Sequence, residues 1–221
     1  MSKGLTTPVA KLSQCCLKKS KRSFPGLSST RRGEIHMIIG PMFSGKSTAL
    51  IQRVKEDEAA GLQAQMVKSS RDVRYSSFEV VSHGGATRPC HCIEKLWDIP
   101  ILLGFEHFSR VDVLAIDEAQ FFPDLASFCI SAAEDHHKKV IVAGLSGDFR
   151  RKRFGQISDL IPIADSVLKL TSNCAMCDMT SGLFSLRTTS NWENQELIGG
   201  PDSYKPVCRS CYTSAWAEQT T

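Results

Sequence analysis

The sequence predicts an α/β fold, a parallel sheet covered by helices and followed by a small C-terminal appendage of different character. Three observations predict it. Short apolar runs, Ile35 to Ile39, Val111 to Ile116 and Lys139 to Leu145, alternate with polar segments of helical length, the pattern of β-α units on a parallel sheet. The first run feeds Gly40-Pro41-Met42-Phe43-Ser44-Gly45-Lys46-Ser47, which is G-x-x-x-x-G-K-[ST] between a buried strand and a helix. Beyond Thr171 the apolar runs stop, and two Cys-x-x-Cys pairs, Cys174/Cys177 and Cys208/Cys211, stand 30 residues apart.

Length and charge narrow the possibilities. The 221 residues suit one core domain with room for an appendage. No stretch approaches the roughly 20 apolar residues that span a bilayer, so no membrane partner is expected. The net charge of +4 conceals an asymmetry: residues 1–33 hold eight basic side chains and no acid, leaving 19 basic against 23 acidic in the rest. A mildly acidic body excludes a large phosphate-backbone interface, so no nucleic acid is expected as main partner. Nine cysteines without an apolar signal segment, beside a nucleotide loop, indicate a reducing compartment, the cytoplasm.

In chain order, residues 1–33 are rich in Ser, Thr, Lys and Arg and lack the apolar periodicity of a core element, so disorder is expected. They read either as an organelle transit peptide or as a solvated extension. From residue 34 to 170 the pattern is that of the nucleotide-binding domain. Ile35 to Ile39 is the first strand; the helix Thr48 to Ala60 buries Leu50, Ile51 and Val54 and ends at Gly61, a residue suited to the position after a helix. Gln63 to Lys68 is the next strand, Arg71 to Tyr75 a charged loop at its end, and Phe78 to Ser82 a short strand. Glu94 to Phe108 is expected helical on either side of Pro100, Pro123 to His136 helical, Ile157 to Ile163 helical, and Ser166 to Leu170 the last strand. Residues 171–213 form the metal-binding part, and 214–221 a disordered tail.

The chemistry follows from three stretches. In the glycine loop, backbone N–H groups turn inward around an anion, the helix N-terminus adds partial positive charge, Lys46 reaches the β/γ-phosphates and the Ser47 hydroxyl can ligate Mg²⁺. A nucleoside triphosphate is therefore the expected ligand. The strand Val111 to Ile116 delivers Asp117-Glu118; an Asp there can hold Mg²⁺, and a neighbouring Glu can accept a proton from an attacking nucleophile. An acid pair at a helix start is the structural alternative. Four cysteines at this spacing suit tetrahedral Zn²⁺ with no open position, hence a structural metal. Two further features stay open on residues alone. Arg150 to Arg153 between Phe149 and Phe154 reads as a pocket loop in preference to a polynucleotide patch. Gly199-Gly200 serves either a ligand-closing loop or a hairpin turn.

From about Gly33 to Tyr212 the chain resembles the cellular (type II) thymidine kinase family. The stretches GPMFSGKST (40–48), RDVRYS (71–76), IDEAQFFPD (116–124), FRRKRFG (149–155), CAMC, ELIGG with Tyr204, and CRSC carry the likeness. The resemblance implies a P-loop, RecA-like α/β domain with a zinc-held lasso, transferring the γ-phosphoryl of ATP to the 5′-hydroxyl of thymidine and deoxyuridine. It implies Glu118 as general base and Ser47 and Asp117 as Mg²⁺ ligands. ATP would lie on Gly40 to Ser47, with Asp72, Val73, Arg74 and the stretch Asp117, Glu118, Ala119 and Gln120 beside it. Met42, Phe121, Leu145, Phe149, Phe154 and Ser185 would wall the acceptor, gripped by Gln195, Glu196, Leu197, Ile198, Gly199 and Tyr204. Zinc would sit on Cys174, Cys177, Cys208 and Cys211. The likeness further implies a homotetramer restrained by dTTP. The chain departs from the family's usual pattern at Ser146, where Asp is common, at His83-Gly84, where His-Asp is common, at Ser185, near a usual Thr, and by one extra residue after Cys177. The alternative is a RecA-like nucleic-acid-stimulated ATPase with a zinc ribbon.

Overall fold

In the parallel strands, apolar residues face both ways, and each face finds a cover. The computed structural model describes residues 32–72, 79–81, 85, 87–189 and 194–220. Six strands form one parallel sheet: β1 (Glu34–Gly40), β2 (Ala64–Ser69), β5 (His91–Ile93), β6 (Val113–Asp117), β7 (Lys139–Leu145) and β8 (Ser166–Lys169), in the spatial order β5-β2-β6-β7-β1-β8. Alternation along the strands sorts the core. Met37, Leu114, Ile116, Val140 and Val142 face one side, and Ile38, Val113, Ala115, Ile141 and Ala143 the other.

On the second face lies α1 (Lys46–Ala59), burying Leu50, Ile51 and Val54 and closing at Gly61, whose φ of +87° only glycine adopts without strain. The first face is covered by α2 (Ile99–Leu103), α3 (Phe105–Arg110), α4 (Leu125–Glu134) and the single turn α5 (Ile157–Leu160). Parallel register places Lys68 opposite Asp117 and Gly40 opposite Leu145, so the glycine loop, the acid pair and the pocket strand emerge at one edge. That carboxyl edge is where open α/β sheets bind ligands.

Several sequence expectations need correction. Glu94 to Phe108, expected helical on either side of Pro100, is a 3₁₀ turn at Leu96–Asp98 and two short helices whose break falls at Gly104 (φ 77°, ψ 139°), with Pro100 in the first turn of the first. Ile157 to Ile163 is one α turn and a 3₁₀ turn, cut short by Pro162. His91–Ile93, given no role in advance, is an edge strand of the sheet. Of the strand expected at Phe78 to Ser82, the described part is β3 (Glu79–Val81), which pairs antiparallel with β4 (Thr87–Pro89) outside the main sheet. Residues 1–31, with Cys15, Cys16 and most of the transit-peptide reading, lie outside the described residues, as do Val73 and Arg74.

The appendage is built from β9 (Ser172–Asn173) with β10 (Ser181–Gly182), β11 (Phe184–Arg187) with β12 (Tyr204–Val207), and α6 (Arg209–Thr220). This last helix runs through 214–220 of the stretch expected as a disordered tail, with Thr221 outside the described residues. Tyr212, Ala215 and Trp216 stand at i, i+3 and i+4 and lay one apolar face on the small core of Leu186, Val207 and the cysteines, which gives the segment a reason to stay helical. Arg32–Thr221 form one compact unit, so the boundary at 170/171 divides functions more than bodies.

Candidate active site

At the glycine loop, local sequence explains the geometry. Gly45 takes φ 80° immediately before α1, and no side chain caps that helix or places an acid in its first turn. The orphan N–H groups and the positive end of the helix are thereby presented to an anion. A Cβ on Gly40 would stand 2.7 Å from the Leu170 carbonyl oxygen, so glycine is required where the loop leaves the sheet. Lys46, 8 % exposed, arches over the loop and donates to the Pro41 carbonyl at 2.7 Å, to which the Ser44 hydroxyl also donates at 2.9 Å.

Asp117 closes β6 beneath this loop. Burial first, and the charge of Glu118 second, push its carboxyl up to about 7, against a hydrogen bond from the Ser47 hydroxyl, one from the Glu118 amide and the charge of Lys46. Ser47 and Asp117 both line the cleft, a hydroxyl and a carboxylate of the oxygen-ligand type that a hard cation on a triphosphate requires. Glu118 sits in the left-handed region (φ 49°, ψ 42°), which turns it off the strand line. Its Oε2 accepts from Gln120 Nε2 at 2.5 Å, and Gln120 Oε1 accepts from the Leu145 amide at 3.0 Å, so the side chain of Gln120 bridges the acid to the pocket strand.

One open cleft joins these groups to the aromatic wall. Of the residues named from the sequence, Met42, Phe43, Gly45, Lys46, Ser47, Asp72, Asp117, Glu118, Gln120, Phe121, Leu145, Phe149, Phe154, Ser185, Gln195, Leu197, Ile198, Gly199 and Tyr204 line it. Others stand apart. Ala119 is packed in the core, and Glu196 is turned outward to an ion pair with Arg71 at 3.2 Å. Phe121 and Phe154 meet edge to face at 5.5 Å. Gly199 lines the cleft while Gly200 opens a turn, its carbonyl accepting from the Ser203 and Tyr204 amides. The Met42 amide donates to Ser185 Oγ at 2.9 Å, tying the phosphate loop to β11.

The basic run is largely engaged within the fold. Arg150 pairs with Asp148 at 3.5 Å, Arg151 stacks over Tyr212 at 4.2 Å, and Arg153 donates to Asp159 at 2.7 Å. Sequence reasoning missed the organiser of this loop. Asp148, 4 % exposed, accepts from the Arg150 and Lys152 amides and from Gln195 Nε2 at 2.9, 2.7 and 2.9 Å. An Asp after Ser-Gly was a legible turn signal. Lys68 and Arg187, also missed, are buried cations that nothing in the local pattern separates from surface residues.

The sulfurs of Cys174, Cys177, Cys208 and Cys211 all lie within 4.8 Å of one another, and the Cys177–Cys208 pair is at 3.9 Å. Tetrahedral Zn–S bonds of about 2.3 Å imply S···S near ~3.8 Å, so the set fits one metal ion. Amides of Cys208 and Cys211 donate to the Cys174 and Cys208 sulfurs at 3.2 and 3.5 Å, which favours thiolates there.

A glycine loop at a helix start, an acid pair beneath it and an aromatic-walled space in the same cleft are the parts that a phosphotransferase acting on a small acceptor needs. The thymidine kinase family model matches residues 33–212. Thymidine kinase a of Arabidopsis thaliana is 48% identical over 180 residues, covering 81% of this chain and 75% of that protein. Human cytosolic thymidine kinase is 42% identical over 188 residues, 85% of this chain and 76% of the relative. The thymidine kinase of Rabbit fibroma virus is 43% identical over 180 residues, 81% and 96% respectively. The chain belongs to the thymidine kinase family and is a nucleoside kinase; the rival reading as a nucleic-acid-stimulated ATPase is not favoured.

Proposed function

We propose that this chain transfers the γ-phosphoryl of ATP to the 5′-hydroxyl of thymidine, and of deoxyuridine, giving the monophosphate. The observation that carries the reading is the single cleft in which the phosphate loop, Glu118 and the Phe121/Phe149/Phe154 wall all take part. In this reading Lys46 and the loop amides hold the β/γ-phosphates, with Asp72 to Arg74 beside the nucleotide. Glu118, oriented by Gln120, takes the proton of the 5′-hydroxyl as the oxygen attacks phosphorus. Ser47 and Asp117 would hold Mg²⁺, which when bound neutralises charge on the phosphates. Zn²⁺ on the four cysteines is structural, because no coordination position is left open.

The base rests among aromatic side chains, and main-chain groups of 195–199 with Tyr204 read its edge, which admits thymine and uracil and rejects purines by size. Internal pairing of the Arg150–Arg153 run and the acidic balance outside residues 1–33 support a protein with no nucleic-acid partner. Val167 and Leu168 on the edge strand β8, with Ile161 and Ile163, are exposed and apolar, which supports self-association as a homotetramer. Restraint by the end product dTTP is part of the same reading. Among the described residues no helix is long and apolar enough to cross a membrane. With relatives named as cytosolic, we assign the chain to the cytoplasm. Import into an organelle through residues 1–33 is the second location this basic stretch suits.

The test is an assay of the purified full chain against the four deoxynucleosides with Mg-ATP, alongside Glu118→Gln. Thymidine turnover should lead, and Glu118→Gln should bind ATP normally while turnover drops by about 10² to 10⁴. Full activity in that variant removes Glu118 from its role, and ATP hydrolysis stimulated by DNA without any nucleoside product overturns the reading.

A further inference from the structure

Arg187 has no solvent exposure, yet it is a full cation at the end of β11, beside a cleft that binds a small acceptor in the function proposed above. A buried guanidinium persists only where its N–H groups find acceptors, and here they find the acceptor-side loop. Nη1 donates to the Asn194 carbonyl at 2.6 Å and Nη2 to the Gln195 carbonyl at 2.9 Å. Nε and Nη2 both donate to the Tyr204 hydroxyl oxygen, at 3.2 and 2.7 Å. With its oxygen accepting twice, that hydroxyl directs its own proton to the Leu197 carbonyl at 2.9 Å. The guanidinium also lies 3.7 Å from the centroid of Phe149, a wall of the cleft. One side chain thus contacts the back of Phe149, the ring partner Tyr204 and, directly or through one hydroxyl, three carbonyls of 194–197.

A trans peptide points its C=O and the next N–H in opposite directions. Turning the carbonyls of Asn194, Gln195 and Leu197 toward Arg187 and Tyr204 therefore turns the amides of Gln195, Glu196 and Ile198 the other way. We propose that Arg187 is the positioning residue that sets the main chain of 194–198 in the orientation that recognises the nucleoside acceptor, and so determines its affinity without touching it. This rests on the thymidine reading of the cleft. It is distinct from general support of the fold, because the planar fork engages the loop oxygens and one aromatic face together, which a flexible ammonium cannot reproduce.

The experiment compares Arg187→Lys and Tyr204→Phe with the unmodified full chain, measuring KM for thymidine, KM for ATP, kcat and zinc content. Arg187→Lys should raise the thymidine KM roughly tenfold or more, the range for losing charge-assisted hydrogen bonds, with the ATP KM within about twofold and zinc retained. Tyr204→Phe, which keeps the ring and removes the hydroxyl that accepts from Arg187 and donates to Leu197, should shift the thymidine KM in the same direction by less. An unchanged thymidine KM in Arg187→Lys, or equal shifts for both substrates, overturns the role. Should Arg187→Lys lose zinc and ATP binding, and so its fold, Tyr204→Phe decides: a raised thymidine KM supports the proposal and an unchanged one overturns it. Absence of thymidine turnover in the unmodified chain would overturn the parent reading and this inference with it, whereas normal turnover with an indifferent Arg187→Lys removes Arg187 alone.

Discussion

The sheet and the cysteine appendage carry the two halves of one cleft but are held together by different physics. Around the sheet, 22 described residues on one face and ten on the other form two apolar cores. In the appendage six buried described residues form the core, two of them cysteines, joined by cation–π stacking, short hairpins and a four-cysteine cluster that could hold a metal ion. Burial at about 25 cal/mol per Å² makes the first region self-sufficient, whereas a core of six residues cannot offset the entropy of ordering roughly 40. The glycine loop accordingly rests on a large core, whereas the 194–199 side of the cleft depends on the contacts that hold the appendage together.

Metal removal tests that contrast hardest. Zinc on such ligand sets contributes on the order of 10 kcal/mol, so chelation should expose residues 174–211 to proteolysis and raise the thymidine KM far more than the ATP KM. Equal loss of both substrates would merge the two regions into one cooperative body. The converse perturbation is Phe128→Ala. Phe128 is 1 % exposed and meets Trp97 edge to face at 5.3 Å, and its truncation should destabilise the sheet region by about 3–5 kcal/mol in urea unfolding. Zinc content of the folded protein should be unchanged. The finest test acts at the seam. Tyr212 on α6 donates its hydroxyl to the Phe149 carbonyl at 2.7 Å and stacks with Trp216 at 5.6 Å, so the helix that carries Cys211 backs the cleft wall. Tyr212→Phe leaves that buried carbonyl without its donor, costing about 1–3 kcal/mol, with a smaller rise in thymidine KM than metal removal produces.

The acceptor side was harder to read from sequence than the phosphate side for the same reason that it is built differently. Gly40 to Ser47 is contiguous, so its geometry follows from one strand, one loop and one helix. The residues proposed to wall the acceptor, Met42, Phe121, Leu145, Phe149, Ser185 and Tyr204, line one cleft from far apart in the chain, and it was resemblance to a family that brought them together in advance. The break at Gly104 and the edge strand at His91–Ile93 escaped because elements of three to six residues carry too little periodicity to register. The helical tail was different: Tyr212, Ala215 and Trp216 held the pattern, but their partners Phe149, Leu186 and Val207 lie on other elements.

By itself the chain's order of residues determined the alternating α/β architecture, the phosphate loop, the Asp117-Glu118 pair at a strand end and the four-cysteine metal set, because each is written in adjacent residues or fixed spacings. Tertiary structure alone decided that Gln120 bridges Glu118 to Leu145, that Asp148 gathers the basic loop, and that Arg187 is buried against Phe149 with its hydrogen bonds on the acceptor loop. These are buried polar groups whose partners are distant in sequence, and a buried cation or carboxylate is indistinguishable from a solvated one until the fold shows which acceptors and donors surround it.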